Sequence, residues 1–307
     1  MARKLNVLYC GSGWADIVPA FARAIAALGV EAEVRTRDPR AAVAAQLGDV
    51  DVVLPSNARV GAEELAAAPR LRLIQQPAVG HETIDLAAAR ARGVPVCNAP
   101  GANADSVAQA ALLLLLSLAR RFKGAQRAFA EARIGAPAGV ELTGRTMVIV
   151  GLGRSGSRLR AAVEALGMKV IGVDREDGRA GLLAALPGAD AVSLHAPLTE
   201  HTRDLLDDAA FAAMRPGALV VNVARGGLVQ RGALERALGS GRLGGVGLDV
   251  FWEEPWDPRD PLFARDDVLV LPHVAGSTEE SFGRIAAIVA RNVAAVARGE
   301  ALVHQIA

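Results

Sequence analysis

Two hydrophobic patterns alternate along this chain. Short apolar runs end in glycine, proline or aspartate, and between them apolar residues return every three or four positions. LNVLYCG (5–11) is of the first kind and the alanine-rich stretch 14–28 of the second, so a strand followed by a helix is predicted. EAEVRT, DVVLP, LRLIQQP and VPVCNAP predict further strands, with helices expected over 40–46, 62–67 and 84–91. Alternation of this kind predicts a parallel sheet.

Pro100 and Gly101 punctuate the chain before 103–122, whose AQAALLLLLSLARR core is apolar on nearly every face. A helix without a polar stripe is either wholly buried or packed against another subunit, and this one is expected at an interdomain and subunit interface. Beyond the Gly-, Ala- and Pro-rich loop 135–139, TMVIVGLG, KVIGVD, DAVSLHAP, ALVVNVA, GVGLDVF and VLVLPHV predict six more strands, the number a dinucleotide-binding domain needs. Residues 279–298 read as a helix able to return to the first domain.

At 307 residues the chain is long for one core, so two domains are expected. Hydrophobic residues at 51% and charged residues at 22% exclude a disordered chain. Lys+Arg 34 against Asp+Glu 33, with no basic run, argues against a nucleic-acid partner. Cys10 and Cys97 have neither disulfide nor metal-ligand spacing, and no metal site is expected. The N-terminal apolar run breaks at Gly11, too early for a signal-peptide core, and 108–116 falls short of the roughly 20 residues that span a bilayer. A cytoplasmic location without membrane contact is the expectation.

VIVGLGRSGSRL places Gly151, Gly153 and Gly156 in GxGxxG spacing, after an apolar run and at the opening of a helix. That spacing allows a tight turn, close backbone approach to a pyrophosphate, and close helix packing, while helix amides point at the phosphates. Asp174 ends the next strand 18 residues after Gly156. Its carboxylate suits the two ribose hydroxyls and repels a 2′-phosphate, so NAD is the expected cofactor and NADP the minor alternative. Arg175, which could turn onto a 2′-phosphate, reads more simply as a solvated strand-end charge.

Arg225 in VVNVARGGLV raises a different question, since a permanent charge stands where a buried strand ends. Glu254 after GLDVFWE and His273 after VLVLP stand in the same relation to their strands. Open α/β sheets bind ligands at the carboxyl edge, so the three are expected to converge on one site. A carboxylate beside an imidazole orients it for proton transfer, and arginine offers a planar fork to a substrate carboxylate. His195, at a strand end, is read as lining the cofactor site. His201 and His304 read as surface residues, and Trp252 and Trp256 as walls of either the site or an interface.

Six blocks in order, PAVGHETIDLAAARARGVPVCNAPGANADSVAQ, LTGRTMVIVGLGRSGSRL, LHAPLTEHTRDLL, MRPGALVVNVARGGLV, GLDVFWEEP and PHVAGST, resemble the D-isomer-specific 2-hydroxyacid dehydrogenase family. The resemblance covers nearly the whole chain. It implies an α/β fold of two Rossmann-like, doubly wound parallel-sheet domains with the active site in the cleft between them. A flavodoxin-like substrate domain would comprise 1–98 plus 277–307, and an NAD-binding Rossmann domain 99–276. Arg225 would bind the substrate carboxylate, His273 would pass the proton, and Glu254 would keep His273 protonated. Backbone around Val79 and Gly80 would complete the carboxylate site. Arg154 and Ser155 would lie under the pyrophosphate and Asp174 on the ribose. His195, Pro197, Thr202, Val223, Ala224, Arg225, Asp249, His273 and Gly276 would line the rest of the cofactor site.

The implied activity is NAD(H)-dependent interconversion of a small 2-oxo acid and its D-2-hydroxy acid, of glyoxylate or hydroxypyruvate type, by a homodimer. The enzymatic alternative is a short phosphoglycerate dehydrogenase-like protein, since no additional C-terminal domain is expected in this length. A non-catalytic NAD-sensing scaffold of the same fold is the alternative from another class, and a phosphite- or formate-oxidising relative a third. Two departures from the family pattern stand out: His81 and Glu82 after Gly80, where an acidic or hydrophobic-acidic pair is commoner, and Gln109, where glutamate is usual.

Overall fold

The computed structural model describes residues 3–307. The first apolar run forms β1 (Leu5–Tyr9), and the chain continues through α1 (Val18–Ala27), β2 (Ala32–Thr36), β3 (Val52–Leu54), α2 (Ala62–Ala66), β4 (Leu73–Gln75), α3 (Leu86–Ala91) and β5 (Val96–Cys97). These strands make a parallel sheet in the order β2-β1-β3-β4-β5, the flavodoxin arrangement. Leu5, Val7 and Tyr9 bury one face of β1 against Phe21 and Ile25 of α1, while Leu8 joins Val53 and Leu65 on the other. The helix expected over 40–46 is absent. Only Ala44–Gln46 makes a 3₁₀ turn, tied by Gln46 Nε2 donating to the Asp38, Ala41 and Ala42 carbonyls.

The second compact unit runs from Ala104 to Gly276. It contains α4 (Ala104–Ala119), α5 (Phe122–Ala130), β6 (Thr146–Val150), α6 (Arg154–Ala165), β7 (Lys169–Val173), α7 (Gly178–Ala185), β8 (Ala191–Leu194), α8 (Asp208–Ala213), β9 (Ala218–Asn222), α9 (Arg231–Gly239), β10 (Leu243–Leu248), α10 (Pro261–Ala264) and β11 (Val268–Val270). The division therefore follows Asn103 rather than residue 98, leaving 99–103 with the first unit. All six expected strands are present, in the parallel order β7-β6-β8-β9-β10-β11. Only β7 lies beyond β6, so the strand order reverses between β6 and β8. That gap is where a doubly wound sheet places a ligand.

Residues on these strands face two apolar layers in turn. Met147 and Ile149 pack with Leu115 and Leu159, and Val148 and Val150 with Leu182 and Phe211. Burial on both faces is why the strands read as unbroken apolar runs. The apolar stretch 103–122 is not one wholly buried helix: α4 ends at Ala119, Arg121 turns left-handed (φ 51°), and α5 follows. Leu114, Leu115 and Leu118 are buried, whereas Leu113 and Leu116 are exposed.

The final helix, α11 (Glu279–Arg298), belongs to the first unit. Thr278 and Ser281 cap its start reciprocally, and Gly299 (φ 70°) ends it. Ile285, Val289 and Val293 pack with Phe21 and Ile25. Fully buried Asn292 donates to Gln75 Oε1 (2.6 Å) and to the Val303 carbonyl (2.9 Å), fastening helix and C-terminal tail to β4.

Candidate active site

Three loops at the carboxyl ends of β9, β10 and β11 carry Arg225, Glu254 and His273. Beyond β9, fully buried Asn222 donates to the Arg225 carbonyl (2.8 Å) and accepts from the Ala224 amide (3.0 Å), folding Val223–Arg225 back on the strand end. Gly226 then presses against the next loop: a Cβ there would lie 2.1 Å from the Phe251 carbonyl carbon and oxygen. The glycine after Arg225, expected from the sequence along with Gly227 to let backbone pass close to cofactor and substrate, instead permits contact between two loops. Gly227 instead faces the Leu198 side chain.

Glu254 is fixed within its own loop, where its Oε1 accepts from the Phe251 amide (3.0 Å). Its Oε2 lies 2.7 Å from His273 Nδ1. Burial pulls this carboxyl upward, but the His273 bond and charge, the Phe251 amide and the Arg225 charge outweigh it and hold the group below its ordinary value. Arg225 is therefore electrostatically coupled to the pair. Trp252 and Trp256 support the loop from behind: Trp252 Nε1 donates to the Val229 carbonyl (2.6 Å), and Trp256 packs on Phe251 at 4.4 Å between ring centroids.

His273 sits in a left-handed turn (φ 55°). Buried Asp249, just past β10, accepts from the Val274 (2.7 Å) and Ala275 (3.0 Å) amides and so clamps the backbone that follows the histidine. Burial raises the Asp249 carboxyl to about 6, against those two amide bonds. Both of its oxygens are engaged by backbone, which places it beneath the His273 turn.

At the reversal between β6 and β8, Gly151 takes φ +92°, and a Cβ there would come within 2.8 Å of the Ala196 amide nitrogen. A Cβ on Gly156 would lie 2.0 Å from the Gly151 carbonyl oxygen. Glycine is thus required at both positions, and Gly153 starts α6 at its exposed N-terminus. Backbone of this shape, with amides at a helix N-terminus, suits a dinucleotide pyrophosphate. Asp174, exposed at the end of β7, accepts from the Leu152 (3.2 Å) and Arg175 (3.0 Å) amides. Arg154 is exposed on the first turn of α6, and Ser155 meets His195 Nδ1 at 3.1 Å. In the loop after β8, Thr202 Oγ1 donates to the Pro197 carbonyl (2.7 Å) and accepts from the Thr199 amide (2.7 Å). Val223 and Ala224 are buried, and Gly276 closes the unit.

Val79 and Gly80 lie in the first unit, after β4. The Val79 carbonyl accepts from Asn98 Nδ2 (3.0 Å) and the Gly80 carbonyl from Gln76 Nε2 (2.6 Å), with Val79's side chain exposed. His81 Nδ1 is 3.4 Å from the Val79 carbonyl oxygen, and Gln109 is exposed on α4. Sequence reasoning passed over Asn222 and Ser193, both fully buried. Their signal was available: each is a lone polar residue inside an apolar run. Among the described residues no cluster of three or more His, Cys, Asp or Glu is arranged to hold a metal, and no helix is long and apolar enough to cross a membrane.

A glycine cradle and a carboxylate–imidazole pair beside an arginine, on one parallel sheet, describe a nucleotide-dependent oxidoreductase. Residues 112–275 match the D-isomer specific 2-hydroxyacid dehydrogenase, NAD binding domain. The chain is 40% identical over 292 residues to a D-3-phosphoglycerate dehydrogenase of Mycobacterium leprae, taking in 90% of this chain and 55% of that protein. It is 37% identical over 257 residues to a glyoxylate reductase of Korarchaeum cryptofilum, 78% of this chain and 77% of that one. The D-lactate dehydrogenase of Aquifex aeolicus, solved with NAD and lactic acid, superposes with a TM-score of 0.82 at 28% identity, covering 96% of each chain. The chain spans about half the length of the phosphoglycerate dehydrogenases it matches. It belongs to the D-isomer specific 2-hydroxyacid dehydrogenase family.

Proposed function

We propose that this protein reduces a small 2-oxo acid to its D-2-hydroxy acid, and catalyses the reverse oxidation, with NAD(H). The observation that carries this reading is the 2.7 Å contact between His273 and Glu254 within the field of Arg225. With Nδ1 committed to Glu254, Nε2 of His273 is the nitrogen assigned to the substrate carbonyl oxygen. The Glu254 carboxylate orients the ring and offsets its positive charge while it holds the proton. Arg225 offers its fork to the substrate carboxylate, supplemented by backbone at Val79 and Gly80. NADH, when bound, supplies the hydride.

Gly151, Gly153, Arg154, Ser155 and Gly156 are assigned to the pyrophosphate and Asp174 to the adenosine ribose, where its charge favours NAD over NADP. Val223, Ala224, Asp249 and Gly276 are assigned to the nicotinamide side, and His195, Pro197 and Thr202 to the wall of the cofactor site. The substrate is of glyoxylate or hydroxypyruvate type. The phosphoglycerate dehydrogenase relatives support 3-phosphohydroxypyruvate as the second reading. The protein acts in the cytoplasm as a homodimer, its partner covering the apolar side chains exposed on α4 and α5.

An NADH-oxidation screen over glyoxylate, hydroxypyruvate, phenylpyruvate, 2-ketogluconate and 3-phosphohydroxypyruvate, repeated with NADPH, tests activity and specificity together. NADH binding without reduction of any acid would favour a sensing scaffold. General acid catalysis contributes about 10²–10⁴-fold, so His273→Ala is expected to lower turnover by at least about two decades while NADH still binds. Unchanged turnover would remove His273 from the mechanism.

A further inference from the structure

The His195 side chain links the end of β8 to the helix that follows the glycine loop. Its Nε2 lies 3.0 Å from Ser193 Oγ on β8, and its Nδ1 3.1 Å from Ser155 Oγ in the second position of α6. Gly151 packs directly on the backbone of His195 and Ala196, so the glycine loop and the end of β8 are held in register.

Hydrogen-bond bookkeeping fixes the direction of this chain. Burial pushes the His195 ring down to about 4, so the imidazole is neutral at neutral pH and carries one N–H. Ser193 is fully buried, and among the described residues its hydroxyl meets only His195 Nε2. If Nε2 carried the proton, Ser193 would accept that bond and its own hydroxyl hydrogen would be sealed from water without an acceptor, an arrangement folded proteins avoid. Ser193 must therefore donate to Nε2. The ring proton then resides on Nδ1, which donates to Ser155 Oγ. With its oxygen already accepting, Ser155 has its hydroxyl hydrogen left to give, at the N-terminus of the helix that follows the glycine loop.

We infer that Ser193 and His195 form a polarity-setting relay that holds Ser155 as a hydrogen-bond donor to the cofactor pyrophosphate. This rests on the dinucleotide reading of the glycine cradle and adds positioning residues to it. His195 acts through Ser155 instead of touching the phosphates itself. Removing the Ser193 hydroxyl frees the imidazole to take the other tautomer, and Ser155 then donates inward to Nδ1 and is lost to an anion.

Nitrogen-15 NMR of the five histidine side chains in the unliganded protein gives the direct test, with His195 assigned by the signal missing from His195→Asn. The expected result is a proton on Nδ1 and a bare Nε2. A proton on Nε2 overturns the relay whether or not the protein binds nucleotide, whereas failure of the native protein to bind NADH would count against the cofactor reading itself. In NADH titrations followed by fluorescence, Ser193→Ala should weaken binding about tenfold, the size expected for one charge-assisted hydrogen bond. Ser193→Thr, which keeps the hydroxyl, should restore most of the affinity. Adding Ser155→Ala to Ser193→Ala should cost nothing more. Equal losses in Ser193→Ala and Ser193→Thr, or none in either, would overturn the relay. Should Ser193→Ala not fold, the tautomer measured in the native protein decides.

Discussion

Arg225 places a permanent charge three residues beyond a strand whose side chains are all buried, and its backbone is shaped by Asn222. The guanidinium is thereby delivered to the sheet edge on a folded-back loop. Lysine would keep the charge and lose the planar fork. Arg225→Lys is expected to lower kcat/KM for the 2-oxo acid by about 10²-fold, with NADH affinity changed by less than about threefold. Steady-state kinetics and NADH titration separate the two, and equal losses would return Arg225 to a structural role. His195 yields a pH prediction. Its folded pKa, about 4, lies below the ordinary 6.5, so the unfolded chain binds more protons in that window. Its contribution is full above pH 6.5 and is lost as pH falls towards 4. His195→Gln should flatten this part of the unfolding free-energy profile, measured in urea at each pH, by roughly 2–4 kcal/mol relative to the native protein. Parallel profiles would contradict the burial of a neutral imidazole.

Elements whose periodicity spans a full strand or several helical turns were legible. All eleven expected strands are present, ten of them within the runs that predicted them and β10 starting two residues earlier, at Leu243, because both sheets are covered on both faces. Stretches governed by local hydrogen bonding were not. Residues 40–46 have helical spacing, yet the chain turns around Gln46, and 103–122 breaks at Arg121. GxGxxG was legible as a tight strand-to-helix turn because two of its glycines, Gly151 and Gly156, meet backbone at a fixed spacing. Gly226 was legible as a point of close backbone approach, but not for what it approaches, since Phe251 lies 25 residues away. Gly226→Ala should destabilise the protein by about 2–4 kcal/mol in urea unfolding, because the new Cβ must displace backbone. A loss below about 0.5 kcal/mol would show that the Phe251 loop yields easily.

At the scale of the molecule, the exposed apolar residues bear on assembly. Leu113, Leu116, Phe122, Phe129 and Ile134 all fall between residues 113 and 134, on α4, α5 and the segment that follows. Solvation of so many large apolar side chains in one stretch is unfavourable, and the proposed homodimer would cover them. Light scattering should give twice the mass of one chain, and Phe129→Glu with Ile134→Glu should shift it toward one. A native monomer would leave this surface without the proposed partner.

Amino-acid order alone determined the alternation of strands and helices, the glycine-rich turn and the position of Arg225, Glu254 and His273 at strand ends, because those rest on periodicity and on short-range spacing. Tertiary structure decided what no spacing encodes. Asp249 lies under the His273 turn, Trp252 and Trp256 brace the Glu254 loop, and Ser193 reaches Ser155 through His195. Such contacts depend on which strand ends become neighbours, and that is set by sheet order, a property of the packed chain and not of any single segment.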